Sequence, residues 1–248
     1  MNGAPRRPTG VGHRLSQIAV ALGCVLFVGG FAVGALLYQP YAVPTDSMHP
    51  SVAAGDRVLA QRIEGEQVRR GDVVVFREAT WGDAPMIKRV VGLGGDTVAC
   101  CDPDGLLLVN GEPVHEPYLD PRWSESPTAY EVRIPEGELF LLGDQRLASI
   151  DSRDQISEAT AGSVPVQAVT ARVEATLWPP GSVGLLPRPT GFADQPGGIS
   201  GTGPFLLLCW AIGAGLLLIL AGALYGPLAR RSSRSGHRGV PKPTGDAQ

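Results

Sequence analysis

The sequence predicts a mainly β domain flanked by two transmembrane helices. Two long apolar runs without charged residues lie near the two ends of the 248-residue chain. Between them, short apolar runs alternate with Gly-Asp and Asn-Gly turn signals, a pattern typical of short strands joined by tight turns. A chain of this length can form one domain with a sizeable core in addition to its membrane segments.

The first apolar run, residues 18–37, matches the ~20 residues that a helix needs to cross ~30 Å of hydrocarbon. A cleavable signal peptide is the alternative, but its apolar region usually has only ~7–15 residues. We therefore expect a cytoplasmic tail at residues 1–17 and a retained transmembrane helix at residues 18–38.

The second apolar run, residues 204–225, is followed by Arg230, Arg231 and Arg234. A buried core helix is the alternative, but the length and the basic flank favour a second transmembrane helix followed by a basic cytoplasmic tail, residues 226–248. Arginines also precede the first run, so the positive-inside rule predicts two cytoplasmic termini and an extracytoplasmic segment between the helices. Basic ends on an acidic body argue against a nucleic-acid partner.

Residues 39–180 are predicted to form the β-rich domain. Seven short apolar or alternating runs are candidate strands: residues 58–60, 73–77, 87–91, 97–100, 106–109, 139–142 and 172–178. Residues 181–203 are rich in Gly and Pro, which favours a linker back to the membrane.

The four cysteines indicate no metal or cofactor. Cys24 and Cys209 lie within the apolar runs, and no CxxC spacing or nearby histidine pair is present. Cys100 and Cys101 are adjacent, and the sequence leaves open whether they form a vicinal disulfide or remain two free thiols.

The first candidate site is the segment from Pro44 to Pro50, which contains Thr45 and Ser47. Ser47 lies about nine residues beyond the first apolar run, so at most ~30 Å of chain separates it from the membrane helix. In extended backbone the side chains of Thr45 and Ser47 face the same way, so the Thr45 hydroxyl and the Ser47 N–H are candidate oxyanion donors. The alternative is an ordinary polar turn.

A nucleophilic serine needs a base. Residues 39–203 contain twelve arginines but a single lysine, Lys88, which lies within an apolar strand-like run. Arginine does not release its proton usefully, whereas burial can lower the pKa of a lysine into the working range. A surface lysine paired with an acid is the alternative for Lys88, and His49 and His115 are rival bases.

The third candidate segment extends from Gly143 to Arg153. Asp151 and Arg153 can pair and fix this loop, and Ser149 can hydrogen-bond a neutral lysine. A solvated turn with surface ion pairs is the alternative.

Together, the motifs Pro-Thr-x-Ser-Met, Lys-Arg-Val-Val-Gly and Gly-Asp-x-Arg-x-x-Ser-x-Asp-Ser-Arg resemble those of bacterial type I signal peptidases. The resemblance covers residues 44–50, 55–58, 88–96 and 143–153, and more weakly 172–179. It implies Ser47 as nucleophile, Lys88 as general base, and an oxyanion hole formed by Thr45 and Ser47. It further implies that Ser149 orients Lys88 and that a structural box holds the site's shape. That box contains Asp144, Arg146, Asp151 and Arg153.

Two residues depart from the family pattern, since Gly94 replaces a frequent proline and Gln145 a frequent asparagine. The resemblance implies a signal-peptidase-like β-rich catalytic domain that cuts after small residues, typically alanine, at the first and third positions before the scissile bond. We expect a multi-pass protein of a bacterial cell membrane that needs no cofactor, acts on exported preproteins, contacts membrane lipid and works as a monomer. A self-cleaving Ser–Lys protease of the repressor type and a catalytically inactive membrane-tethered scaffold are the alternatives.

Overall fold

The computed structural model describes residues 11–82, 84–122, 124, 128–157 and 161–235. The chain divides into two compact units, a helical one and one that extends from Leu37 to Gly203. The predicted cytoplasmic tails lie partly outside the described residues, which leave out residues 1–10 and 236–248.

The helical unit contains helix α1, Val11–Leu37, and helix α2, Phe205–Ser235. Their apolar portions, Arg14–Leu37 and Phe205–Tyr225, are 24 and 21 residues long, sufficient to cross a membrane. At the ends that we predict to be cytoplasmic, both helices continue beyond the apolar runs that defined the predicted bounds. Tyr38, expected at the end of the first helix, is instead the first residue of a strand.

Close packing of α1 against α2 depends on small residues. A Cβ added to Gly23 would lie 2.7 Å from the carbonyl oxygen of Gly215, a distance that leaves no room for a side chain. Ser16 is buried and its hydroxyl donates to the carbonyl oxygen of Gly222 at 2.7 Å. Small residues and hydrogen bonds of this kind stabilise helix pairs in hydrocarbon, where apolar burial contributes little.

The second unit is built from twelve strands among its described residues. They are β1 Tyr38–Ala42, β2 Arg57–Arg62, β3 Val73–Phe76, β4 Met86–Leu93, β5 Thr97–Cys100, β6 Leu107–Val109, β7 Glu112–Val114, β8 Tyr130–Arg133, β9 Glu138–Leu142, β10 Val164–Pro165, β11 Val169–Trp178 and β12 Gly184–Leu185. All seven predicted strands are present, and the mainly β prediction is confirmed. The sequence reasoning missed β1, β7, β8, β10 and β12, which are short or contain proline.

The strands form two antiparallel sheets. The larger has the order β1-β2-β11-β3-β4-β9-β10, with β12 paired to β11, and the smaller has the order β7-β6-β5-β8. The turn between β6 and β7 is the predicted Asn-Gly hairpin, in which Asn110 and Gly111 both have positive φ angles, 55° and 83°. This is the conformation that a two-residue type I′ turn requires. In β5, Cys100 forms a disulfide with the following residue, Cys101.

Apolar residues cover both faces of the larger sheet. Along β3, Val73 and Val75 belong to one buried cluster, whereas Val74 and Phe76 belong to another. This alternation follows from the two-residue period of strand side chains. Charged residues of the neighbouring strand β4 therefore lie deep within the domain.

The predicted linker, residues 181–203, differs from the expectation because it packs as part of the β unit. Phe192 is fully buried in the cluster that also contains Phe140, and β12 pairs with β11. Ser200 donates to the carboxylate of Asp72 at 2.7 Å. This return segment is rich in Gly and Pro, which suggested a linker. It nevertheless packs closely on the β unit, because its apolar side chains anchor it there.

Candidate active site

Ser47 lies in a loop that is anchored on both sides. Val43 and Met48 are buried in the apolar cluster beneath the larger sheet, and the Asp46 carboxylate accepts from the backbone N–H of Ala54 at 2.8 Å. These anchors fix the loop while the Ser47 side chain stays partly exposed. The Ser47 hydroxyl therefore belongs to a segment that its buried neighbours hold in place.

Lys88 contacts this hydroxyl directly. Its Nζ donates to Ser47 Oγ at 2.8 Å. Lys88 lies on the central strand β4, opposite Val74 of β3, and is only 5% exposed. Burial lowers the pKa of Lys88 to about 8, against the opposing effect of the Asp151 and Asp144 carboxylates. The alternative of an exposed surface lysine is wrong.

Thr45 and the backbone of Ser47 face the same region. Thr45 Oγ1 lies 3.4 Å from Ser47 Oγ, in agreement with the side-by-side orientation predicted from the spacing. The Ser47 N–H donates to no acceptor among the described residues. Both groups thus lie beside the Ser47 hydroxyl, and their role as oxyanion donors stays a prediction.

Strand β9 brings the third motif to this site. It ends at Leu142, which lies opposite Arg89 of β4, so the loop that follows starts beside Lys88. Arg89 is fully buried and binds the Asp144 carboxylate through Nε at 2.8 Å and Nη2 at 2.6 Å. The alternative of a solvated turn with surface ion pairs is therefore wrong for this loop.

Asp151 and Arg153 form the predicted pair. Arg153 donates from Nε and Nη2 to the two Asp151 oxygens, both at 2.8 Å. Asp151 is fully buried and also accepts from the backbone N–H of Gly143 at 3.0 Å. The pair closes the loop onto its own first residue.

Gly143 separates Ser47 from Ser149. A Cβ at this position would overlap Ser149 Oγ and would lie 2.5 Å from the carbonyl oxygen of Ser47. The Ser149 side chain is buried, and its hydroxyl makes no hydrogen bond within the described part of the chain. The structure thus brings Ser149 to the site without a hydrogen bond to Lys88, and its orienting role stays a prediction.

Sequence reasoning missed two residues of this network. They are Glu116, which accepts from Arg146 Nη2 at 2.6 Å, and Tyr118, whose ring centroid lies 3.7 Å from the guanidinium carbon of Arg89. Glu116 and Tyr118 belong to the segment that follows β7, a strand of the smaller sheet. One sequence signal was available, because buried arginines require acidic or aromatic partners, but it does not say which residues supply them.

The serine and the lysine border an open cleft of about 790 Å³. Its walls are mainly apolar and include Val75, Met86, Ile87 and Ile150. Strand β4 pairs with β3 along its whole first half but with β9 only from Arg89 onward. The backbone at Met86–Lys88 therefore has one edge that no described strand covers, and this edge faces the cleft.

Neither rival base is joined to the serine. Among the described residues, His49 and His115 make no hydrogen bond to Ser47, whereas Lys88 does. The described part of the chain also contains no group of three or more His, Cys, Asp or Glu residues arranged to hold a metal ion. A hydroxyl bonded to a buried amine can carry out nucleophilic cleavage of an amide.

Comparison with known proteins agrees with this chemistry. The profile of the family described as "Signal peptidase, peptidase S26" matches residues 14–178. Signal peptidase I of Mycobacterium tuberculosis is 30% identical over an alignment of 223 positions that covers 69% of this chain and 73% of that protein. Signal peptidase I of Bacillus caldolyticus is 33% identical over 157 positions, covering 58% of this chain and 81% of that protein.

A crystal structure of a signal peptidase I from Enterococcus faecalis covers 42% of this chain and 95% of its own, with 26% identity and a TM-score of 0.35. The family match extends over more than half of the chain, from the first helix to the end of β11. The chain is a serine peptidase. It belongs to the signal peptidase family, peptidase S26, and the resemblance found in the sequence motifs is confirmed.

Proposed function

We propose that this chain is a membrane-bound serine endopeptidase that removes N-terminal signal peptides from exported preproteins, with Ser47 as nucleophile and Lys88 as general base. The observation that carries the residue assignment is the 2.8 Å contact between Lys88 Nζ and Ser47 Oγ, made by a buried lysine whose pKa is lowered to about 8. Family membership supports the substrate class.

The reaction divides into two steps that use the same lysine. Neutral Lys88 accepts the Ser47 proton as Oγ attacks the scissile carbonyl, and the Thr45 hydroxyl and the Ser47 N–H donate to the resulting oxyanion. Lys88 then gives that proton to the leaving amine, and an acyl-enzyme forms on Ser47. A water molecule, deprotonated by Lys88, attacks the ester, and the proton returns to Ser47 Oγ as the acid product leaves.

The open edge of β4 supports a binding mode for the substrate. An extended peptide can pair with the uncovered backbone of Met86–Lys88 and place its carbonyl beside Ser47, while its side chains contact the apolar cleft. The buried Ser149 hydroxyl is available to orient Lys88. Asp144, Arg146, Asp151 and Arg153 hold the loop that carries it, through the ion pairs described above.

The experiment that tests this function uses the full chain in detergent and a preprotein with alanine at the first and third positions before the scissile bond. Wild type should cleave it, whereas Ser47→Ala and Lys88→Arg should lose roughly 10³-fold or more in kcat. The chain offers matched controls, because Lys242 is its only other lysine and Ser124 is a partly exposed serine that does not border the cleft. Lys242→Arg and Ser124→Ala should retain wild-type rates.

Two results would overturn the assignment. An active Ser47→Ala variant would remove the serine from the mechanism, and an active Lys88→Arg variant would move the base to another group. A wild-type protein that leaves preproteins intact would overturn the substrate class while leaving the dyad geometry as it is.

We also propose the topology, with residues 18–37 and 205–225 in the membrane, both termini in the cytoplasm and the β unit on the extracytoplasmic side, acting as a monomer. The arginines beside both helices support this orientation. A fluorescent protein that matures only in the cytoplasm, fused after Gln248, should fluoresce. Absence of fluorescence, together with activity of a periplasm-dependent phosphatase at the same position, would reverse the assignment.

A further inference from the structure

The segment that follows β7 carries two side chains that contact the buried arginines near Lys88. Glu116 has a side chain only 6% exposed, and Tyr118 is also buried. Burial, with the Glu116 carboxylate beside it, raises the pKa of Tyr118 well above its usual value. The tyrosine hydroxyl therefore keeps its proton and donates to Glu116 Oε1.

Glu116 acts on the loop after β9 through Arg146. The same Oε1 accepts from Arg146 Nη2 at 2.6 Å, and Arg146 Nε donates to the carbonyl oxygen of Gly143 at 3.1 Å. The Ser47 backbone and the Ser149 hydroxyl both pack closely against Gly143. Glu116 thus fixes the direction of the peptide plane that spaces the nucleophile from Ser149.

Tyr118 acts on strand β4 through Arg89. The centroid of the ring lies 3.7 Å from the Arg89 guanidinium carbon, a distance at which a desolvated cation–π contact is stabilising. Arg89 also donates to the carbonyl oxygen of Gly71 at 2.8 Å and binds Asp144. Because Lys88 is the neighbour of Arg89 on the same strand, a clamped Arg89 fixes the register of the base.

We propose that Glu116 and Tyr118 are positioning residues for the Ser47–Lys88 pair, Glu116 through Arg146 and Gly143, and Tyr118 through Arg89. This inference rests on the proposed function for its kinetic consequence but not for its structural one. Neither residue borders the cleft, so both act on the reacting atoms only through others. The segment after β7 is then a part of the catalytic apparatus that lies outside both sheets.

The kinetic test compares Glu116→Gln with a matched control in the preceding strand β7, Glu112→Gln, whose side chain is exposed. Glu116→Gln removes the negative charge from the hydrogen bonds with Arg146 and Tyr118 and should lower kcat for the preprotein roughly 10- to 100-fold. KM should change less than ~3-fold, because the cleft is untouched. The control should stay within about twofold of wild type in both parameters.

The aromatic contact is tested by two substitutions at Tyr118. Tyr118→Phe keeps the ring under Arg89 and should retain most of the rate, whereas Tyr118→Leu should lose roughly 10-fold or more in kcat. Equal rates for the two variants would overturn the role of the ring. This pair also carries the test if Glu116→Gln does not accumulate as folded protein.

A second readout does not depend on activity. The chain has two lysines, so full-length protein labelled with ¹³C at lysine Cε gives two titrating signals, which Lys242→Arg assigns. Lys88 faces Asp151, Asp144, Asp154 and Arg153. Removing the Glu116 charge leaves the neighbouring network one unit more positive, so the Lys88 pKa should fall in Glu116→Gln and stay constant in Glu112→Gln.

The outcomes separate the two proposals. A Lys88 pKa that moves in an enzyme without peptidase activity supports the positioning inference and overturns the proposed function. Normal cleavage by wild type, with kcat and the Lys88 pKa both unchanged in Glu116→Gln, overturns the positioning inference alone. A folded variant that loses activity without any shift in the Lys88 pKa would also overturn the assignment of Glu116.

Discussion

The rate of peptide cleavage should follow the protonation of Lys88. The base form of a lysine is the neutral amine, which accumulates as pH rises through its pKa. Burial disfavours the charged form and lowers this pKa to about 8. The neutral fraction is then about one tenth at pH 7 and about nine tenths at pH 9, so kcat/KM should rise roughly tenfold over this interval and level off above it.

An unperturbed lysine predicts a different curve. With a pKa near ~10.4, the neutral fraction would rise ~100-fold between pH 7 and pH 9 and would show no plateau in that range. The two cases differ in slope and in shape, so the comparison does not depend on the absolute rate. Burial of Lys88 is the structural origin of the difference.

The assay is the initial rate of cleavage of a fluorogenic signal-sequence peptide by the full chain in detergent, measured at constant ionic strength from pH 6 to pH 10. The ¹³C titration of Lys88 gives the same pKa independently, because kcat/KM reports the pKa values of the free enzyme. A curve that rises ~100-fold from pH 7 to pH 9, or one that is flat, would refute the argument that a desolvated Lys88 is the base.

Three further substitutions test separate parts of the site. Thr45→Val should lower kcat roughly 100-fold with little change in KM, since it removes an oxyanion donor, and Thr45→Ser should restore activity; equal kcat values would contradict this role. Gly143→Ala should cost ~1–3 kcal/mol of stability and inactivate the enzyme, because its Cβ would overlap Ser149 Oγ; wild-type melting and activity would exclude that crowding. Phe192→Ala should lower the free energy of unfolding by ~3–5 kcal/mol, and an unchanged denaturation curve would show that the return segment does not stabilise the β unit.

Much of the fold was predictable because its signals are local. Apolar length indicated both helices, and alternating apolar residues with Gly-Asp or Asn-Gly turns indicated the main strands. Strands such as β10 and β12, two residues long, have too few side chains to show any period. The segment with Phe192 is typical of a linker in sequence because isolated apolar anchors among glycines and prolines have no periodicity.

The site was predictable as a set of motifs but not as a network. Ser47 and Lys88 could be selected because residues 39–203 contain only one lysine and a nucleophile needs a base. The partners of the buried arginines could not be selected in the same way. Glu116 is 30 residues from Arg146 in sequence, and many exposed carboxylates have similar local surroundings. Only the tertiary fold identifies the acid that becomes buried with it.

The arrangement of charges explains how Lys88 remains a usable base beside several acids. Asp144 and Asp151 would raise its pKa if they acted alone, which would keep the amine protonated and inactive. Each of them is already bound by a guanidinium, Asp144 by Arg89 and Asp151 by Arg153. Arg153 also lowers the Lys88 pKa, and desolvation has the largest effect. Arginine cannot serve as the base here, but an arginine beside the carboxylates helps the lysine to do so.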